Sequence, residues 1–314
     1  MASLLHFFSL QAATAPPSHT IPFTKYAVGL IISATSLWSV SKRQHKSRNM
    51  LAECLALAAG LLDVAAYMMN CLGFPIVGSA LSMVVFAAAG QMFTAAARTL
   101  LLKKGMSKQQ CVAVAIVSVG VMVRAGPLKI ARDERLPAND NMRLGVIYTT
   151  SSAALYSLLG VVYERLASLK ALSHVQINLR MSLTGFVLLV LYQTFYTWPH
   201  RQRLILEPLA ESGQRPGTVI FSHILFGACY TGHAMIQGRV LERSGAMAVN
   251  VVNSMRAATV SIVSALLFCA PSAQQQCLDA RKGASAAIIS VGALIWATAP
   301  SPQQPKQDPG KKEE

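Results

Sequence analysis

An ionisable side chain deep in an apolar helix is costly, so each one found there is a candidate for function. Arg180 in VQINLRMSLTGFVLLVLY (175–192) and Arg256 in MAVNVVNSMRAATVSIVSALLF (247–268) are the two basic residues assigned to the interior of apolar runs. Arginine offers a rigid fork of donors that grips phosphate bidentately and keeps its charge when buried. Arg180 stands only a few residues into its run, so a side chain reaching out to the water boundary is the alternative for it. Asn250 and Asn253 precede Arg256 at intervals of three, which sets all three on one helix face. Such a polar stripe faces protein or water, as a cavity lining or as a helix–helix contact.

Asp63 is central in the run 51–72, with Tyr67 four residues on. Its carboxylate could pair with an arginine across the bundle, accept from a ligand or take a proton. Glu53 sits near the end of the same run, at its boundary. Tyr230, His233 and Gln237 share a face of a third run, where a tyrosine ring can stack on a planar ligand or simply pack. Glu164 and Arg165 close a fourth run, and a gate or helix-terminus role fits them better than ligand contact.

Hydrolytic and nucleotide-cleaving constellations are missing. There is no GxSxG, no HExxH, no GxxxxGK[ST] and no paired-His spacing, so neither an enzyme nor an ATP-driven pump has support. The six cysteines form no CxxC pair and lie mostly inside apolar runs. They read as small apolar packing residues, and no metal or cofactor is called for.

The elements that must carry these residues follow from composition. The chain has 314 residues, 53% of them hydrophobic and 13% charged, with mean hydropathy +0.43. A soluble domain spends about 25% of its residues on charge. Nine apolar runs recur, at about 22–40, 51–72, 77–97, 110–124, 143–163, 177–197, 218–238, 246–269 and 284–299. Most match the roughly 30 Å hydrocarbon core at 1.5 Å rise per residue. Backbone groups in lipid must be satisfied internally, and the short alternating segments of a barrel are absent. The expectation is an all-α polytopic membrane protein embedded in a lipid bilayer.

Its organisation reads as an N-terminal tail (1–21), a first transmembrane half (22–124), a polar loop (125–142), a second half (143–299) and a disordered cytosolic tail (300–314). The formal net charge of +15 lies mainly in short loops. There it sets topology rather than binding nucleic acid. Fifteen Lys and Arg fall on the side that includes the C-terminus and ten on the other, which favours a cytosolic C-terminus.

One phrase occurs twice. Residues 116–123 are IVSVGVMV and residues 288–295 are IISVGALI, so Ser118-Val119-Gly120 returns as Ser290-Val291-Gly292. Each copy forms the last apolar run of its half. Duplication with a pseudo-two-fold axis is the usual origin of such an echo in transporters.

Three stretches carry a resemblance. SSAALYSLLGVVYERL (151–166) resembles the sixth-helix signature of the drug/metabolite transporter superfamily, and of its nucleotide-sugar transporter group in particular. Gly160, Tyr163, Glu164 and Arg165 occupy the signature places. VQINLRMSLTGFVLLVLY resembles the following helix, with Arg180 at the place of a typical arginine, and 247–268 resembles the ninth. KKGMSKQQCVAVAIVSVGVMV (103–123) is similar to the fourth-to-fifth helix junction. The likeness spans roughly residues 50–299. It implies ten helices with both termini cytosolic, one more than the nine counted here. It also departs from the family at AAAGQMFTAAA (87–97), where Gln91 and Thr94 stand without the usual basic residue.

What the resemblance implies is exchange of a nucleotide sugar, or a related anionic metabolite, for a nucleotide monophosphate by alternating access. Arg180 and Arg256 would hold the diphosphate, Asn250 and Asn253 would line the cavity, and Asp63, Tyr67, Tyr230 and His233 would read or stack the base. A different organic metabolite, or a non-transporting scaffold for a true carrier, is the competing expectation. Small residues in 87–97 permit a homodimer. The chain finishes Lys311-Lys312-Glu313-Glu314, similar to a dilysine signal read by coat-type retrieval machinery. That places the expected location at endoplasmic reticulum or Golgi membranes.

Overall fold

The computed structural model describes residues 16–40, 49–77, 79–103, 105–125, 140–268 and 280–299. Within some helices, including around Arg256, only the backbone belongs to this set. The described residues form helices α1 (Thr20–Val40), α2 (Met50–Val77), α3 (Ser79–Leu102), α4 (Lys108–Ala125), α5 (Asp140–Ser168), α6 (His174–Tyr192), α7 (Glu207–Ser212), α8 (Pro216–Phe268) and α9 (Ala280–Thr298). No strand occurs among them. Four helical stretches are long and apolar enough to cross a membrane: Met50–Ile76, Arg143–Ser168, His174–Thr197 and Pro216–Asn253. Lys108–Val123 and Gly283–Thr298 are shorter apolar helices.

Local chemistry sets the helix ends. Ser173 and Gln176 form a reciprocal capping box at the start of α6, each side chain meeting the other's backbone N–H. The stretch between the apolar runs 177–197 and 218–238 is largely helical, because the chain leaves α6 through π-helical turns at Gln193–Thr197 and Gln202–Leu206 before α7. The segment before α1 holds this end in place: the Ser18 carbonyl accepts from Gln193 Nε2 (2.8 Å) and Thr197 Oγ1 (3.1 Å), and the Pro17 carbonyl from the Tyr192 hydroxyl (2.9 Å). Residues 16–21 are thus part of the fold rather than of a tail.

Run 218–238 and the described part of run 246–269 belong to α8, which breaks at Gly245 (φ 79°, ψ 174°). Only glycine reaches that backbone region without strain. The break gives two limbs, 216–244 and 246–268.

Small residues bring the helices together. Ala52, Ala56 and Ala59 of α2 are fully buried and share a cluster with Leu159 and Leu166 of α5. The opposite faces are apolar and exposed, at Leu57, Leu61, Leu183, Val187, Ile220 and Phe221. Cys54, Cys111 and Cys229 also face outward, which corrects their reading as packing residues.

The echoed helices α4 and α9 pack against each other, antiparallel. A Cβ on Gly120 would come within 2.7 Å of Ile289, and one on Gly292 within 2.7 Å of Val117. Val117 and Ile289 are themselves equivalent positions in the repeat, so the contact reads the same from either helix. Ser285 Oγ adds a hydrogen bond to the Gly120 carbonyl at 2.7 Å.

Candidate functional site

A cavity of about 320 Å³ opens at the centre of the bundle, lined from α1, α2, α3, α5, α6 and both limbs of α8. Its lining runs along α2 from Asp63 to Phe74 and along the first limb of α8 from Tyr230 to Leu241. Eleven residues of helix at 1.5 Å each make that about 16 Å in depth.

The chemistry concentrates at one buried cluster. Lys25 and Asp63 form an ion pair at 3.0 Å, with side chains only 5% and 10% exposed. The Tyr26 hydroxyl donates to the same carboxylate oxygen, Oδ2, at 2.7 Å, and Lys25 Nζ donates to the Tyr26 oxygen at 3.2 Å. Three rings surround the ammonium: Nζ lies 4.2 Å from the centroids of Tyr67 and Tyr230 and 4.4 Å from that of Tyr26. Ring faces attract a desolvated cation, and the carboxylate neutralises it. Tyr67 and Tyr230 meet edge to face at 5.5 Å, and Tyr156 extends the tyrosine row, its hydroxyl 3.5 Å from that of Tyr230. Tyr26 can lean in because Gly185 of α6 leaves room beneath its ring.

Amides and hydroxyls cover the rest of the wall. Asn70, Asn178, Gln237 and Asn253 line it, with Thr231 and Ser182. Asn250 lines it too while fastening α8 to α3, its Nδ2 donating to Thr94 Oγ1 (2.6 Å) and the Gly90 carbonyl (3.3 Å). Ser157 of α5 donates to that same carbonyl at 3.0 Å, and Gln91 accepts from Ser118 of α4 at 2.9 Å. The polar members of 87–97 therefore knit four helices. The arrangement can hold a polar organic molecule between ring faces and hydrogen-bonding groups, with one charged pair available to exchange partners.

Of the expected site residues, Asp63, Tyr67, Tyr230, His233, Asn250 and Asn253 all line this one cavity. Asp63 finds its partner in a lysine rather than an arginine. Arg180 is elsewhere. Glu53 takes its guanidinium bidentately, at 2.5 Å and 2.6 Å, and both side chains are about 30% exposed. That pair sits beside the cavity wall near a helix end, closer to the boundary alternative than to a diphosphate site. The Arg256 side chain lies outside the described residues, as do Lys311 and Lys312.

Glu164 is buried, and its Oε2 accepts from the Ala246 N–H at 2.9 Å, capping the second limb of α8 just past the break. Its Oε1 lies 3.4 Å from Arg98 Nε. Arg165, its neighbour, is exposed. Glu164 thus caps a limb of a different helix from its own.

Lys25, Tyr26, Asn70, Tyr156 and Asn178 line the site without standing out in the sequence. Lys25 has a signal there, as a basic residue inside the apolar run 22–40.

No family model matches the chain, and no curated protein matches it. A solved structure described only as "Crystal structure of protein" is similar to it with TM-score 0.64 at 13% identity, covering 94% of this chain and 91% of that one. At that identity the likeness concerns the fold, and it extends over nearly the whole of both chains.

Proposed function

We propose that the chain is a secondary transporter that moves an organic solute through the central cavity by alternating access. The observation that carries this is a deep cavity lined with tyrosines, amides and one charged pair inside a helical bundle whose outer faces are apolar. Its volume is near the lower end of ordinary small-molecule sites, about 300–1,000 Å³. A cavity walled by several helices, including both limbs of α8, suits a carrier, since carrier sites form between packed spans. The symmetric α4–α9 contact supports two pseudo-symmetric halves of inverted topology, with nine to ten spans in all.

The solute class we infer is a nucleotide sugar exchanged for a nucleotide monophosphate across an endoplasmic reticulum or Golgi membrane. Support comes from the sequence resemblance, from ring faces at Tyr67 and Tyr230 suited to a base, and from Lys25 as a cation suited to phosphate. A second reading, transport of a different organic metabolite, gains weight from the Lys25–Asp63 pairing, which leaves that part of the wall neutral. The test is uptake into proteoliposomes preloaded with nucleotide monophosphates, across a panel of nucleotide sugars, with Tyr230→Ala and Arg256→Ala as variants. Uptake that requires preloading and collapses in the variants supports the exchange. A folded protein that carries nothing on the panel sinks it and moves the other metabolite, or a non-transporting scaffold, ahead.

A further inference from the structure

We propose that Lys25 and Asp63 couple solute movement to a proton: an anionic solute takes Lys25 from Asp63, and Asp63 takes up a proton in exchange. The inference rests on the carrier reading and deepens it.

The resting pair is electrically neutral and nearly sealed, its side chains 5% and 10% exposed, yet both residues border the cavity. An anion that entered and bound Lys25 alone would strand the Asp63 carboxylate as an uncompensated charge in a low-dielectric site. A buried carboxylate without its counter-ion neutralises itself by protonation. The balance closes. Lys25–NH₃⁺ paired with Asp63–COO⁻, plus an anion and a proton, becomes Lys25–NH₃⁺ paired with the anion, plus Asp63–COOH. One proton is taken per anion bound, so the negative charge that Asp63 would carry unpaired is removed.

The geometry leaves a place for the proton. Lys25 and Tyr26 both bond Oδ2, and among the described residues no hydrogen bond ends on Oδ1. When Lys25 turns to the solute, Tyr26 can stay on Oδ2 while Oδ1 carries the proton. The ring cage suits the exchange, because Tyr67 and Tyr230 keep the ammonium favourably placed at 4.2 Å whichever anion it faces.

The titratable groups around Asp63 are few. They are Lys25 and Tyr26 from α1, Tyr67 and Cys71 on α2 itself, Tyr156 from α5, and Tyr230 with His233 from α8. Asp63 is the one carboxylate of the set, and it is the group bonded to Lys25.

The test uses the purified full-length chain and probes whose own charge is constant between about pH 5.5 and 7.5: nucleotide diphosphate sugars and inorganic sulfate. Calorimetric titration in buffers of different ionisation enthalpy counts protons taken up on binding. We expect about one proton per anion and an affinity that rises about tenfold for each pH unit lowered. Asp63→Asn should bind with no proton uptake and a flat pH profile. Anion binding by the wild type without proton uptake overturns the coupling, as does uptake that persists in Asp63→Asn; the wild-type count decides even if that variant fails to fold. The carrier reading survives such a result if proteoliposomes still take up the solute. Should no probe bind or move, the anion-carrier reading falls and the coupling falls with it.

Discussion

Helix α2 carries two acids ten residues apart, and each holds a base from another helix. Asp63 meets Lys25 of α1 at 3.0 Å in a nearly sealed site, whereas Glu53 meets Arg180 of α6 at 2.5 Å with about 30% of each side chain exposed. The chemistry is alike and the surroundings differ. At the wetter pair, water repays part of what is lost when the partners separate, so separation costs less than at the dry pair. At the dry pair the Tyr26 hydroxyl and the ring faces give partial support but no counter-charge, so only another ion can take a partner's place. Burial turns one pair into a candidate switch and leaves the other a fastening between α2 and α6.

The largest effect should come from removing one side of the buried pair. Lys25→Met strands Asp63 and should cost about 3–5 kcal/mol, seen as a large fall in the thermal midpoint in detergent. The double change Lys25→Met with Asp63→Leu should recover most of that stability while leaving solute uptake dead. If the double variant transports normally, the pair is structural and the contrast with Glu53–Arg180 loses its functional meaning.

Glu164 is a third acid and sharpens the contrast, because its partners include a backbone N–H at a break. Gly245→Ala forces an L side chain into φ 79°, with the new Cβ 3.1 Å from Glu164 Oε2. It should cost about 1–3 kcal/mol in thermal unfolding. An unchanged midpoint would mean that the break is free to rearrange.

His19, buried at the entry to α1 with Nδ1 unbonded among the described residues, is the unpaired counterpart. Burial holds its imidazole down from 6.5 to about 4. The neutral ring is then the folded form, so its contribution is intact above pH 6.5 and is lost as pH falls from there toward 4. His19→Phe should flatten that part of the stability–pH curve, and an unaltered slope would contradict the assignment.

The smallest effect belongs to the half-buried pair. Arg180→Ala should change stability by about 0–1 kcal/mol and leave solute uptake near wild type. Complete loss of uptake would put Arg180 back at the solute.

Much of the fold could be read from the sequence. The apolar runs coincide with helices, and the boundary between 218–238 and 246–269 is the Gly245 break. The repeated Ser-Val-Gly phrase marks two helices that pack on each other. Continuity was harder to see. The gaps 73–76 and 198–217 between apolar runs look like interruptions, yet α2 passes through Pro75 to Val77 and much of the chain between α6 and α8 stays helical.

The site was legible as a set of residues but not as a set of partnerships. Spacing placed Asn250 with Asn253 and Tyr230 with His233, since a helix face is a local property. Which base answers Asp63 depends on how α1 leans on α2, and no local pattern encodes that. Lys25 and Arg180 both stand a few residues into apolar runs, so one looks like the other on paper. The tertiary structure buries the first among Tyr26, Tyr67 and Tyr230 and leaves the second at a helix end.

The most direct measurement of the central claim is access to the cavity from each side of the membrane. Asn253→Cys, in a chain with its six native cysteines replaced, would be reconstituted and treated with a membrane-impermeant maleimide outside or inside the vesicle. The account predicts labelling from both sides, with solute shifting the ratio between them. Labelling confined to one side, unmoved by any solute that the protein binds, or absent from both, would contradict a carrier that opens its central cavity alternately.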